Sequence, residues 1–150
     1  MTTFIYNDGG RAETGRSGTA GDCVARAVAI AARLPYSTVY ARLADGNAAQ
    51  RKSKHTPKRK RSARDGIYTQ RKWFKDLMRE WGFAWTPTMA IGSGCQTHLR
   101  ADELPRGRLV CSVSRHYVAV IDGVINDTYD CSRGGTRCVY GYWVFNKAID

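Results

Sequence analysis

The sequence contains no apolar run that approaches the roughly 20 residues needed to cross a bilayer. Residues 1–8 have neither a basic start nor a long apolar core, so we expect no signal peptide and a cytoplasmic location. No internal repeat is visible, which argues against a solenoid. We therefore expect one domain over residues 1–150 that makes no membrane contact.

Acidic residues are scarce. Only 13 Asp and Glu oppose 24 Lys and Arg, which gives a net charge of +11. Much of the excess lies in residues 47–65, which lack any hydrophobic side chain larger than alanine and are typical of a mobile basic loop. Such a loop either only aids solubility or binds nucleic acid or an acidic host protein through its charges. The candidate contact residues are Arg51, Lys52, Lys54, Lys58, Arg59, Lys60, Arg61 and Arg64.

Hydrophobic residues make up 43% of the chain, enough for a folded core. Apolar spacing predicts helices at residues 22–33, 36–43 and 68–82, the second ending before Asp45-Gly46. β-rich runs are predicted at residues 3–6, 83–86, 108–113, 116–121, 124–129 and 138–145. We expect an α+β fold in which N-terminal helices pack on a C-terminal antiparallel sheet.

The clearest local signal is Asp122-Gly123 between two β-branched runs, which predicts a hairpin with a type I′ turn. A two-residue loop would pair Val120 with Ile125 and set His116 opposite Tyr129. Because side chains alternate between faces, His116 and Asp127 would then share a face at a diagonal separation of roughly 7–8 Å. The register therefore predicts that Asp127 orients the imidazole of His116.

Cys23 is the candidate nucleophile, because it would lie in the first turn of a helix that follows the N-cap residue Asp22. Unpaired backbone N–H groups and the positive end of the helix dipole lower a thiol pKa there. Those N–H groups would also hold an oxyanion. A buried structural cysteine is the alternative. Cys23, His116 and Asp127 together supply a nucleophile, a general base and an orienting carboxylate.

This order of residues resembles the papain-like cysteine peptidase superfamily, particularly its small bacterial members. The matching motifs are Asp22-Cys23 at a helix start and the alternating strand His116-x-Val118-x-Val120. The whole chain also resembles uncharacterised phage-encoded proteins, which implies the cytoplasm of a bacterial host. The resemblance to the papain-like peptidases implies a papain-like fold and a thiol hydrolase without a cofactor. Such an enzyme cleaves a peptide, isopeptide or amide through an acyl-enzyme.

Papain-like enzymes usually carry a glutamine shortly before the cysteine, where it completes the oxyanion hole, and no glutamine precedes Cys23. Asn7, Ser17 and Thr19 are candidate replacements, and backbone N–H groups are another. Because this glutamine is missing, an alternative interpretation is a pseudoenzyme that has kept the fold and lost efficient turnover. A second interpretation of the whole chain is a non-catalytic binding protein that uses its basic loop.

Five cysteines in a reducing compartment predict free thiols or metal ligands rather than a disulfide framework. A zinc site built from Cys95, His98, Cys131 and Cys138 is possible by residue type, although the spacing of the last two is long. Cys95 with His98 is a rival catalytic pair. Scattered structural cysteines are the default.

Overall fold

The computed structural model describes residues 3–12, 22–49, 69–89, 92 and 94–146. These residues form three helices and six strands. The helices are α1 (Cys23–Ala32), α2 (Tyr36–Ala49) and α3 (Lys72–Glu80). The strands are β1 (Thr3–Tyr6), β2 (Phe83–Pro87), β3 (Arg108–Val113), β4 (His116–Ile121), β5 (Val124–Asp127) and β6 (Val139–Phe145). The expected α+β class is confirmed.

The strands form one sheet in the order β1-β5-β4-β3-β6-β2. The sheet is mixed, because β1 runs parallel to β5 whereas the other neighbours are antiparallel. The prediction of an antiparallel sheet was wrong at this edge. A parallel neighbour needs a long crossover connection, and here the whole chain between β1 and β5 supplies it.

The hairpin of β4 and β5 has the predicted register. Ile121 pairs with Val124 and Val120 pairs with Ile125. The two loop residues, Asp122 and Gly123, have φ values of 48° and 82°, as a type I′ turn requires. The pairing brings the first residue of β4 and the last residue of β5 to the same end of the sheet.

The second helix is longer than predicted, because α2 continues through Gly46 to Ala49. A glycine normally favours a helix end. At Gly46, however, a Cβ atom would lie 2.2 Å from Cζ3 of Trp73, so only glycine lets the α3 indole pack this closely. Tertiary packing therefore overrides the local stop signal.

The strands alternate between two apolar layers. Val110, Tyr117, Ala119 and Trp143 pack with the helices. Leu109, Val118, Val120 and Ile125 face the other layer, which includes Leu99 and Cys131 from the loops. Helix α1 thus lies on one face of β4, and long loops cover the opposite face. In the described part of the chain, no helix has the length and apolarity to cross a membrane.

Candidate active site

The three residues of the predicted set meet where α1 begins, β4 begins and β5 ends. Cys23 is the first residue of α1, is a free thiol and is partly exposed. The side chain of His116 interacts with this thiol. On its other side, His116 Nε2 lies 2.6 Å from Oδ2 of Asp127. The imidazole therefore interacts with both the thiol and the carboxylate.

The electrostatics of the site favour a charged thiolate and imidazolium. Burial raises the pKa of the Cys23 thiol. The hydrogen bond and charge of His116 and the backbone N–H of Tyr117 together lower this pKa by a larger amount. The net result is a Cys23 pKa below the ordinary value. Burial lowers the pKa of His116, but hydrogen bonds to Asp127, Cys131 and Cys23 raise it to about 12.

Asp127 stays ionised beneath the imidazole. Burial raises the pKa of its carboxyl group, but the hydrogen bond and charge of His116 lower the pKa below the ordinary value. The backbone N–H of Thr128 donates to Asp127 Oδ1 at 2.7 Å and fixes the carboxylate plane. Only 3% of Asp127 is exposed, so this ion pair is shielded from salt and competing water.

Two loop residues complete the surroundings of the imidazole. The ring of Tyr129 lies against His116 with a centroid separation of 5.5 Å, which agrees with the predicted register. Cys131 is buried and interacts with the same imidazole. The sequence analysis gave Cys131 no place at this site, since its position depends on a turn that follows the hairpin. Burial raises the pKa of the Cys131 thiol, so Cys23 is the better nucleophile.

Asp22 does not cap α1 in the expected way. Its carboxylate makes no capping hydrogen bond and instead accepts from the guanidinium of Arg26 and the hydroxyl of Tyr36. Arg11 Nε lies 2.9 Å from Asp22 Oδ2. Asp22 is the N-cap residue as predicted, but its side chain does not cap the helix, because three donors from separate parts of the fold converge on a carboxylate that is 1% exposed.

Arg26 links this network to the catalytic candidates. One side of its guanidinium binds Asp22, and its Nη2 lies 3.7 Å from Asp127 Oδ1. Its charge also helps to lower the pKa of Cys23. The sequence signal for this role was a single arginine inside an alanine-rich helix, one turn after an aspartate.

Of the expected side-chain donors for an oxyanion hole, only Asn7 belongs to the described residues. Asn7 Nδ2 donates to Asn126 Oδ1 at 3.2 Å, and Asn7 Oδ1 accepts from the Gly9 N–H. The amide of Asn7 thus has partners other than Cys23, and its role as an oxyanion donor stays a prediction. Ser17 and Thr19 lie outside the described residues.

Backbone donors remain for the oxyanion hole. The hydrogen bond from Arg26 N–H to the Asp22 carbonyl closes the first turn of α1. The preceding N–H groups, including that of Cys23, have no acceptor within the helix. They lie at the positive end of the helix dipole, where a developing oxyanion is stabilised.

The four proposed zinc ligands do not form one cluster, because Cys95, His98 and Cys138 are neighbours whereas Cys131 lies beside His116. Cys95 and Cys138 form a disulfide with a Cα–Cα distance of 5.9 Å, so the expectation of free thiols was wrong for this pair. His98 Nδ1 lies 3.1 Å from Glu103 Oε1. With Cys95 oxidised, the rival pair Cys95 and His98 also lacks a nucleophile. Cys131 belongs to the His116 environment instead.

One other group has the residue types of a metal site. Ligand atoms of His116, Asp127 and Cys131 all lie within 4.8 Å of one another. The short contact between Nε2 and Oδ2 uses two of these atoms, and Arg26 adds positive charge beside the carboxylate. This arrangement favours a hydrogen-bonded triad over cation binding.

The predicted basic loop at residues 47–65 begins later than expected, since residues 47–49 belong to α2. Residues 50–65 lie outside the described residues, so the contacts of the loop stay a prediction. No protein-family model, curated protein or solved structure matches this chain. No family is therefore assigned, and the resemblance to papain-like proteins also stays a prediction.

Proposed function

We propose that this protein is a cysteine-dependent hydrolase of papain-like arrangement that cleaves an amide, peptide or isopeptide bond. The observation that carries the proposal is the 2.6 Å contact between His116 and Asp127, together with the interaction of the same imidazole with Cys23. The helix carries the thiol at its start, and the two strands that follow later in the chain carry first the base and then its carboxylate. This order is consistent with a papain-like fold. A base that is held in place by a third group is one established way to activate a nucleophile.

In the proposed reaction, the Cys23 thiolate attacks the carbonyl carbon, and the carbonyl electron pair moves to oxygen. The His116 imidazolium gives its proton to the amide nitrogen as the C–N bond breaks, and an amine leaves. A thioester remains on Cys23. Neutral His116 then takes a proton from water, whose oxygen attacks the thioester. The C–S bond breaks, and the thiolate and imidazolium are restored.

The high pKa of His116 suits this cycle because it depends partly on the adjacent sulfur. Hydrogen bonding and charge from Cys23 help to hold the proton on the imidazole. Acylation removes the negative charge of the sulfur, so the pKa of His116 falls during the reaction. The proton then leaves more easily when the amine needs it. Asp127 stabilises the charged ring and fixes its tautomer throughout.

Alkylation tests the activated thiol. We expect iodoacetamide to label Cys23 at about pH 6 at least roughly tenfold faster than glutathione, because an ordinary thiol is almost fully protonated there. Peptide mapping identifies the labelled residue, and the buried Cys111 and Cys131 serve as internal references. A Cys23 rate no higher than that of glutathione would contradict the proposal.

Acylation tests the covalent step. Nitrophenyl acetate should release one burst of nitrophenolate per chain and leave an acetyl group on Cys23. The burst should be absent from Cys23→Ser and present in Cys111→Ser. A pseudoenzyme with a reactive thiol would show rapid alkylation and a single burst but no deacetylation. Release of nitrophenolate beyond one equivalent per chain therefore separates an active site from one that has kept only its geometry.

The alternative proposal is a non-catalytic protein that binds nucleic acid or an acidic host protein through Arg51 to Arg64. The support for it is the net charge of +11. Binding that falls steeply with salt, survives Cys23→Ala and disappears when these lysines and arginines are neutralised would favour it.

A further inference from the structure

A cavity of about 500 Å³ borders the imidazole on the loop side of the sheet. Its walls include His116 and Cys131 from the candidate site. The remaining wall comes largely from two turns that bring three arginines together, Arg115, Arg133 and Arg137. Asp130 is the one acidic residue in the lining, so the cavity has an excess of positive charge.

The arginines of this cavity are not neutralised within the described part of the chain. Arg115 and Arg133 are exposed, and neither forms an ion pair among the described residues. Asp130 directs Oδ1 to the N–H and hydroxyl of Ser132, at 3.0 and 2.7 Å, rather than to a guanidinium. An anion entering the cavity would therefore meet cationic groups that have no carboxylate partner.

Arg137 is the deepest of the three and is only 8% exposed. It donates to the carbonyl oxygens of Ser114 and Cys131, which are neutral acceptors. Its Nε atom is buried and has no hydrogen-bond partner in the described structure. A buried guanidinium without a counter-charge is costly, and a bound carboxylate would relieve this cost with charge-assisted hydrogen bonds.

The position of the cavity indicates which part of a substrate it would hold. Its lining includes His116 but not Cys23. In the proposed reaction the acyl group stays on the sulfur, whereas the departing amine receives its proton from the imidazole. A cavity that touches the proton donor and not the nucleophile lies on the leaving-group side.

We propose that this cavity binds the leaving group of the substrate and that this leaving group is an amine bearing a carboxylate. The inference rests on the proposed hydrolase activity. The carboxylate would come either from the free α-carboxyl of a terminal amino acid or from an acidic side chain. Both present the same planar anion to the arginines, for which a guanidinium fork is the matching donor.

Two disulfide reagents test the charge of the leaving group without a known substrate. The Cys23 thiolate attacks one sulfur of the reagent, the S–S bond breaks, and the other half departs as a thiol or thiolate. Dithiobis-nitrobenzoate expels a thiolate that carries a carboxylate, whereas dithiodipyridine expels a neutral thione. The rate at Cys23 is obtained by subtracting the rate of Cys23→Ala.

The double variant Arg115→Gln/Arg133→Gln removes the two exposed charges and leaves the buried Arg137 contacts intact. We expect it to slow dithiobis-nitrobenzoate roughly tenfold at low salt, as local steering by charge predicts, and to leave dithiodipyridine unchanged. Arg106→Gln is the matched control, since Arg106 is an exposed arginine outside the cavity lining. An equal loss in this control, or no loss in the double variant, would overturn the inference.

Competition distinguishes the source of the carboxylate. Glycine offers a free α-carboxylate, isoglutamine offers only a side-chain carboxylate, and glycinamide is the control that lacks a carboxylate. Protection of Cys23 by glycine assigns a terminal amino acid, and protection by isoglutamine assigns an acidic side chain. Protection by glycinamide alone would overturn the inference. If iodoacetamide shows no activated thiol, the proposed hydrolase fails; an activated thiol with no preference for anions refutes only the leaving-group assignment.

Discussion

Two cavities of similar volume differ in chemistry: one borders the C-terminal end of α1, and the other borders His116, the imidazole that interacts with the first residue of α1. The C-terminal end meets a cavity of about 540 Å³, lined by Ala29, Ile30 and residues of the hairpin turn. There Arg108 donates to the carbonyls of Ile30 and Ala31 at 2.7 Å. This arginine satisfies the open end of a helix and complements its dipole. The cation at this end is already used for structure.

At the N-terminal end the charges are arranged differently. Arg26 joins two buried carboxylates, and one of these carboxylates holds the imidazole next to the thiol. Cavity volume alone would not distinguish the two ends. What distinguishes them is the partner of the charged groups. At the C-terminal end the arginine binds backbone carbonyls, whereas at the N-terminal end the charged side chains bind one another next to a nucleophile. Variants at matched positions of the two ends can therefore test this contrast.

The largest expected effect comes from removing the link between the two carboxylates. Arg26→Met should destabilise the protein by about 3 kcal/mol, because it leaves buried Asp22 and Asp127 without their shared cation. Urea unfolding measures the change. Arg108→Met is the control at the other end and should cost about 1 kcal/mol, since it removes hydrogen bonds to carbonyls at a helix end. Equal losses would show that Arg26 is merely a packing residue.

The next effect concerns reactivity rather than stability. His116→Ala should lower the rate of Cys23 alkylation at about pH 6 by roughly a hundredfold, because the thiolate loses its hydrogen bond and its counter-charge. His98→Ala is the matched control. This exposed histidine contacts Glu103, which lies five residues further along the chain. A similar loss in both variants would show that the imidazole of His116 does not activate the thiol.

Local rules predicted the core of this site well. The turn at Asp122-Gly123 and the alternation of side chains were enough to bring His116 beside Asp127. Both signals lie within a few residues of one another, so no knowledge of the rest of the fold was needed. The helix-start position of Cys23 followed from equally local spacing.

Features that depend on distant segments were missed. The length of α2 depends on Trp73 in another helix, and the bridge from Arg26 to Asp127 joins α1 to β5. The disulfide between Cys95 and Cys138 spans 43 residues, and pairing of this kind cannot be read from composition. The arginines of the cavity are likewise brought together by two separate turns. These are consequences of tertiary packing that no short window of sequence contains.

The smallest expected effect is a pH-dependent change in stability at the N-terminal end of α1. The pKa of Asp127 is depressed below its ordinary value of 3.8, so its contribution is present above that value and is lost as the pH falls through the folded-state pKa. The pKa of His116 is raised from 6.5 to about 12, so its contribution is complete below 6.5 and is lost as the pH rises toward 12. Both contributions are present between these two ordinary values.

Asp127→Asn should therefore cost most within that window, by about 2 kcal/mol, which is the size of a buried hydrogen bond between charged groups. The difference from the wild type should shrink in acid and again in alkali. Urea unfolding across the pH range measures it. Asp122→Asn is the control at the opposite end of the hairpin, where the carboxylate accepts a hydrogen bond from the Gly107 N–H. A cost of Asp127→Asn that is flat with pH would mean that His116 and Asp127 are not an ion pair, and the charged form of the thiol would then lose its main support.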